Sequence, residues 1–191
     1  MRFGFVIGNG ESRKSFNLKK LLPKGPIYGC NALYRDFSPT ILFARDTPML
    51  QEIKENYNGV VTEYVKPYIN YKNKSIKIPH NLVLAGSIAL WCMCNEYVNS
   101  ELSCIYLLGF DPFPSRDDGG KNNLYKNTIN YGSNLEAANP RVTQCVSDLN
   151  FIFDHFKGLF SFTLVGQKIS SLKGCEFISY HEFDTILESI V

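Results

Sequence analysis

Apolar residues along this chain gather into short unbroken runs, separated by polar segments that carry glycine or proline. Residues 3–7, closed by Gly8, are the first such run and predict a buried strand. Residues 15–22 follow with loose helical spacing until Pro23 stops it. "PIYGCNAL" (26–33) predicts a second strand and "TILFA" (40–44) a third. Asp46-Thr47-Pro48 has the composition of a helix start, a capping side chain followed by proline in the first turn, and leads into "MLQEIKENY". Residues 59–80 alternate Tyr, Val, Lys and Asn around Pro67 and Pro79, so one strand and an irregular, partly exposed excursion are expected there.

Residues 81–99, "NLVLAGSIALWCMCNEYVN", are apolar around most of a helical circumference, as suits a helix packed between a sheet and other elements. "CIYLLGFDPF" (104–113) is the clearest strand after the first, with Asp111 at its carboxyl end. Residues 115–134 are polar, with Tyr125 and Tyr131 as their only aromatics, and read either as a mobile lid or binding loop or as simple disorder. A helix over 141–160, a strand at 161–166, an edge strand at 176–179 and a terminal helix complete the chain. This interleaving predicts an α/β fold, a single Rossmann-like three-layer domain over 1–191 with a mostly parallel sheet. Ligands of such sheets bind outside the carboxyl ends of the strands, where the strand order reverses. That rim would gather residues 8–12, Asn31, Gly86, Ser87 and residues 111–113.

With 191 residues and 45% hydrophobic positions, the chain can bury one sizeable core. Twenty Lys and Arg against 18 Asp and Glu leave a formal charge of +2, too balanced for nucleic acid held by bulk charge. Any nucleotide would have to be held locally. The cysteines Cys30, Cys92, Cys94, Cys104, Cys145 and Cys175 form no C-x-x-C pair and sit mostly in apolar runs, as buried free thiols do in a reducing compartment. No stretch approaches the roughly 18 apolar residues of a spanning helix, and the apolar N-terminus is short for a secretory leader. A cytoplasmic protein without a membrane span is expected, with assembly into a homo-oligomer left open.

Gly8 and Gly10 strip side chains from a tight turn, exposing amides beside the Ser12 hydroxyl. Such a turn either cradles an anion or simply redirects the chain. It matches neither G-x-x-x-x-G-K-[ST] nor a complete G-x-G-x-x-G, because Arg13 stands in the last position. Asn31, directly after the second strand, can read a base, ribose or phosphate, or can shape a turn through its own backbone. Arg45 and Asp46 read as a rim ion pair and a helix cap.

"IGNGES", "YGCNALY", "LAGSIALWCMC" and "IYLLGFDPF" with its tyrosine-bearing loop occur in an order that resembles bacterial sialyltransferases of glycosyltransferase family 42. The chain also resembles the related 6-hydroxymethylpterin diphosphokinase-like family and small phage-encoded proteins; the likeness spans roughly residues 1–131. In the sialyltransferases, the Gly-Asn-Gly loop and the Asn after strand two bind the cytidine nucleotide of the donor. The resemblance therefore implies nucleotide contacts from Asn9, Gly10, Ser12 and Asn31, beside Gly8, which the exposed amides of the same turn nominate. The family's Ser-Gly at the central helix is Ala85-Gly86 here, with Ser87 next, so Gly86 and Ser87 join that set. Phe113 replaces a family tyrosine, and Tyr125 is left to face the phosphate. The family's histidine base has no counterpart, since the matching segment reads "NLEAANPRVTQ" and His80, His155 and His181 lie elsewhere. Asp111 becomes the candidate base.

Three readings follow. One is a glycosyltransferase-like protein taking a nucleotide or nucleotide-sugar, with no metal required if amides and a phenol absorb the leaving charge. Another is a non-catalytic protein that sequesters a nucleotide. The third is a diphosphokinase needing Mg²⁺ among Asp111, Asp117 and Asp118. The likeness to phage proteins extends the expected location to the host cytoplasm of an infected cell.

Overall fold

A computed structural model describes residues 2–112, 122–131 and 138–190. The chain begins with β1 (Arg2–Ile7), β2 (Ile27–Cys30) and β3 (Ile41–Phe43), followed by helix α1 (Thr47–Asn56). Three short strands come next, β4 (Glu63–Val65), β5 (Tyr68–Tyr71) and β6 (Lys74–Lys77), then α2 (Ala85–Tyr97). β7 (Leu102–Leu108), α3 (Ala138–His155), β8 (Ser161–Val165), β9 (Glu176–Ile178) and α4 (Tyr180–Ser189) complete the order.

The main sheet runs β3-β2-β1-β7-β8-β9, and every neighbouring pair is parallel. Both faces are covered, so the central strands are apolar without interruption. Phe5 and Ile7 point into a layer with Met49 and Ile53 of α1 and Phe183 and Leu187 of α4. Val6 points the other way, into a layer with α2 and with Leu149, Ile152 and Phe153 of α3. The result is a three-layer, Rossmann-like α/β architecture. Residues 88–94 of α2 are all buried because the helix lies between this sheet and its other neighbours, as its all-round apolar pattern requires. Among the described residues no helix is long and apolar enough to cross a membrane.

Four local expectations change. Residues 15–22 give only a 3₁₀ turn, Leu18–Leu21, because Asn17 is extended and its side chain caps the turn at the Lys19 N–H. The second strand ends at Cys30 rather than 33, because Asn31 takes a left-handed φ of 51° and opens a 3₁₀ turn, Asn31–Arg35. The segment 59–80 holds a small antiparallel sheet, β4-β5-β6, in place of one strand. Pro67 sits in its first hairpin turn, and Lys72 and Asn73, both at positive φ, make the second. α3 starts at Ala138, ahead of Pro140, which is tolerated in a first helical turn. The small sheet is fastened to α2 through Glu96, which accepts from Tyr28, from Tyr71 at 2.8 Å and from Lys74 at 2.6 Å.

Candidate functional site

Strand order reverses between β1 and β7, and their carboxyl ends meet backbone to backbone. The Gly8 N–H donates to the Leu108 carbonyl and the Gly10 N–H to the Gly109 carbonyl, both at 2.8 Å. A Cβ on Gly8 would stand 2.4 Å from the Gly109 oxygen, so only glycine allows this approach.

A cleft of about 190 Å³ opens there. It is lined by Gly8, Asn9, Gly10, Asn31, Gly86, Ser87 and Asp111 from the sequence-based set, and by Cys30, Asn122, Asn123 and Cys145 among others. Ser12 and Tyr125 do not line it, and Phe113 lies outside the described residues. Burial pushes the Cys30 and Cys145 thiols up to about 12, so neither is a thiolate at neutral pH.

Asn9 is buried, and its Nδ2 donates to the Cys30 carbonyl at 3.2 Å and to the Tyr131 hydroxyl at 3.3 Å. A carbonyl can only accept, so this contact fixes which end of the amide faces it. Oδ1 is left buried with no hydrogen-bond partner. Asn31 Oδ1 is in the same state. Burial and the neighbouring Cys30 thiol push the Tyr131 hydroxyl up to about 12, against the pull of the Ala32 N–H and the Asn9 and Asn31 side chains. Tyr131 thus ties Asn9 to the segment 122–131. A buried, unpaired polar oxygen costs about 1–3 kcal/mol, and two on one cleft wall call for a ligand or water to satisfy them.

α2 begins at the cleft with no side-chain cap, and its first residues are Ala85, Gly86 and Ser87. The first intrahelical donor is the Ile88 N–H, so the amides before it face the open end of the helix, the usual location for an anion. Asp148 of α3, fully buried, lies under this end: its Oδ2 takes the Leu84 N–H at 3.5 Å, and Gln144 donates to Oδ1. Burial raises the Asp148 carboxyl, while Gln144, Ser87, Leu84 and Val83 pull it down. Ser87 Oγ makes no well-formed hydrogen bond, although this carboxylate is near enough to feel it.

Ser12 faces away from the cleft. Its N–H donates to Asp111 Oδ2 at 2.7 Å, and its hydroxyl meets the Tyr180 hydroxyl at 3.3 Å. Arg13 is buried: Nε holds the Gly8 carbonyl at 2.8 Å and Nη2 the Tyr125 hydroxyl at 2.9 Å. Tyr125 in turn donates to Asp36 Oδ1 at 2.5 Å. Tyr125 is therefore a buried support behind the turn, not a phenol facing the cleft. Of the expected mobile loop 115–134, residues 122–131 are described, and they form a strap tied on both sides. The Leu124 N–H donates to the Asn9 carbonyl at 2.8 Å, Arg35 Nη1 to Thr128 at 2.6 Å, and Asn130 to Glu52 Oε2 at 2.7 Å. Arg45 and Asp46 also depart from expectation, since Arg45 stacks over Tyr64 and bonds the Val83 carbonyl, while Asp46 gives no side-chain cap.

Sequence reasoning missed Arg13, Tyr131, Asp148 and the Asn122-Asn123 wall. Tyr131 carried a signal, an aromatic kept in a polar loop; Asp148 sits in an ordinary amphipathic pattern and carried none. Asp117 and Asp118, the further carboxylates a diphosphokinase would bring to Mg²⁺, lie outside the described residues. Among the described ones no three of His, Cys, Asp or Glu converge.

A parallel sheet of this order, with a cleft at its reversal point, defines a Rossmann-like α/β class of fold. No protein-family model matches the chain, and no match is found among curated proteins or solved structures.

Proposed function

We propose that the cleft binds a nucleotide or nucleotide-sugar. The observation that carries this reading is the pair of buried, unpartnered oxygens, Asn9 Oδ1 and Asn31 Oδ1, on the wall of a cleft at the strand-order reversal. Acceptors of that kind suit the N–H and O–H donors of a base or ribose. The uncapped start of α2 suits the ligand's phosphate. The left-handed φ of 51° at Asn31, which asparagine tolerates readily, turns the chain at the end of β2 beside the cleft. The motif order resembling the family 42 sialyltransferases favours a nucleotide-sugar over other ligands.

Asp111 is the sole carboxylate among the described lining residues, and sugar transfer would draw on it as base. A protein that only sequesters the nucleotide needs no base. Calorimetric titration with nucleoside monophosphates, diphosphates and nucleotide-sugars tests the reading, and mass spectrometry of the recovered ligand separates turnover from storage. At least one of these ligands should bind in the micromolar range, and Asn31→Ala should weaken it. If none raises the thermal midpoint or gives a binding heat, the proposal fails.

A further inference from the structure

The turn after β1 looks like an anion cradle, yet its amides end on the protein itself. The Gly10 N–H goes to the Gly109 carbonyl at 2.8 Å, the Glu11 N–H to Asn122 Oδ1 at 2.8 Å, and the Ser12 N–H to Asp111 Oδ2 at 2.7 Å. A Cβ built on Gly10 would come within 2.3 Å of that same Asp111 oxygen. Gly10 is therefore small in order to admit a carboxylate of this chain. The bond is charge-assisted, and it links the turn after β1 to the segment leaving β7.

The geometry points to Asp111 as a positioning residue: an internal anion that fills the turn after β1, locks it to the end of β7, and so holds Asn9 at the cleft. The ligand's own anionic group is then left to the start of α2. This inference rests on the nucleotide reading of the cleft, but its central contact can be examined without a nucleotide.

The charged and titratable groups facing Asp111 are Glu11 and Arg13 from the turn, Cys145 from α3 and Tyr180 from α4. Burial raises the Asp111 carboxyl and Ser12 lowers it, with the balance upward. The contact should therefore weaken on acidification before an ordinary aspartate would protonate. Glu11 opposes the charged form and Arg13 supports it.

The test uses the full chain with Asp111→Ala and Asp111→Asn. Positioning predicts that Asp111→Ala weakens nucleotide binding about tenfold or more. Formate, which refills the carboxylate position, restores affinity; formamide, of the same shape without charge, does not. Unchanged affinity with lost turnover would make Asp111 the base and overturn the inference, as would equal rescue by both additives. Nuclear magnetic resonance of the nucleotide-free protein gives the independent arm. The Ser12 amide proton should shift with pH in step with the Asp111 carboxyl, and should stay fixed in Asp111→Asn. A Ser12 amide indifferent to pH in the wild type overturns the inference even if Asp111→Ala does not fold. Should the wild type bind no nucleotide while Ser12 titrates as expected, the nucleotide reading falls and the internal anion stands.

Discussion

Asn9→Ala distinguishes an amide kept for a ligand from one kept for the fold. Without ligand, the substitution removes the Nδ2 bonds to the Cys30 carbonyl at 3.2 Å and the Tyr131 hydroxyl at 3.3 Å. At ~0.5–1.5 kcal/mol each, these contribute about 1–3 kcal/mol to stability. The same substitution removes Oδ1, buried and unpartnered. Its desolvation costs the native state about 1–3 kcal/mol, so the two effects nearly cancel. Stability should move by less than about 1 kcal/mol, or roughly 2–4 °C in Tm for a chain of this size. Binding has no such offset. A ligand donor that loses its acceptor forfeits about 1–3 kcal/mol, roughly 5- to 150-fold in Kd. Scanning calorimetry of the free protein and calorimetric titration with the tightest nucleotide read the two quantities separately. A Tm fall beyond roughly 8 °C with Kd unchanged would show the amide to be structural and refute the reasoning.

Gly8→Ala should cost about 1–3 kcal/mol or more in urea unfolding, because its Cβ would sit 2.4 Å from the Gly109 oxygen and force β1 and β7 apart; an unchanged midpoint contradicts the backbone contact. Tyr125→Phe takes an acceptor from buried Arg13 and should lower stability by about 1–3 kcal/mol while leaving nucleotide affinity within about twofold; the reverse pattern would return Tyr125 to the cleft. Glu96 is lowered overall, since hydrogen bonds from Lys74, Tyr28 and Tyr71 outweigh the upward push of burial. Its contribution should be complete above the ordinary glutamate value of about 4.3 and be lost as pH falls through the lower folded value. The slope of Tm against pH in that acid window should flatten in Glu96→Gln, and identical slopes would remove Glu96 from the account.

The main sheet was legible because burial on both faces writes a strand as an unbroken apolar run, as in β1 and β7, and α2 was legible for the same reason. The small sheet was not. Its strands are three or four residues long, half exposed and joined by turns at Pro67 and at Lys72-Asn73, so alternation is too brief to stand out. At the cleft, Gly8, Asn9, Gly10 and Asn31 could be nominated from their place after strands, since backbone geometry decides what must be small or polar there. What Ser12, Arg13 and Tyr125 do could not be read locally. Their partners, Asp111, Gly8 and Asp36, are set by tertiary packing, and a polar residue shows in sequence that it needs a partner without showing which.

Placing β1 at the centre of the sheet has a consequence for how the chain acquires its fold. β1, its neighbour β2 and the strand beyond it, β3, lie in the first quarter of the sequence, yet the other edge of β1 pairs with β7, Phe5 opposite Tyr106 and Ile7 opposite Leu108. Until β7 docks, the chain therefore carries an unpaired edge on a strand that is apolar over Phe3–Ile7. Such non-local parallel pairing is slow and leaves the intermediate prone to association. The cleft inherits that delay, because the contact of Gly8 with Gly109 and the tie between Asn9 and the strap form only after β7 docks. Ligand binding would then appear on refolding only after β1 and β7 have joined, and would report that pairing.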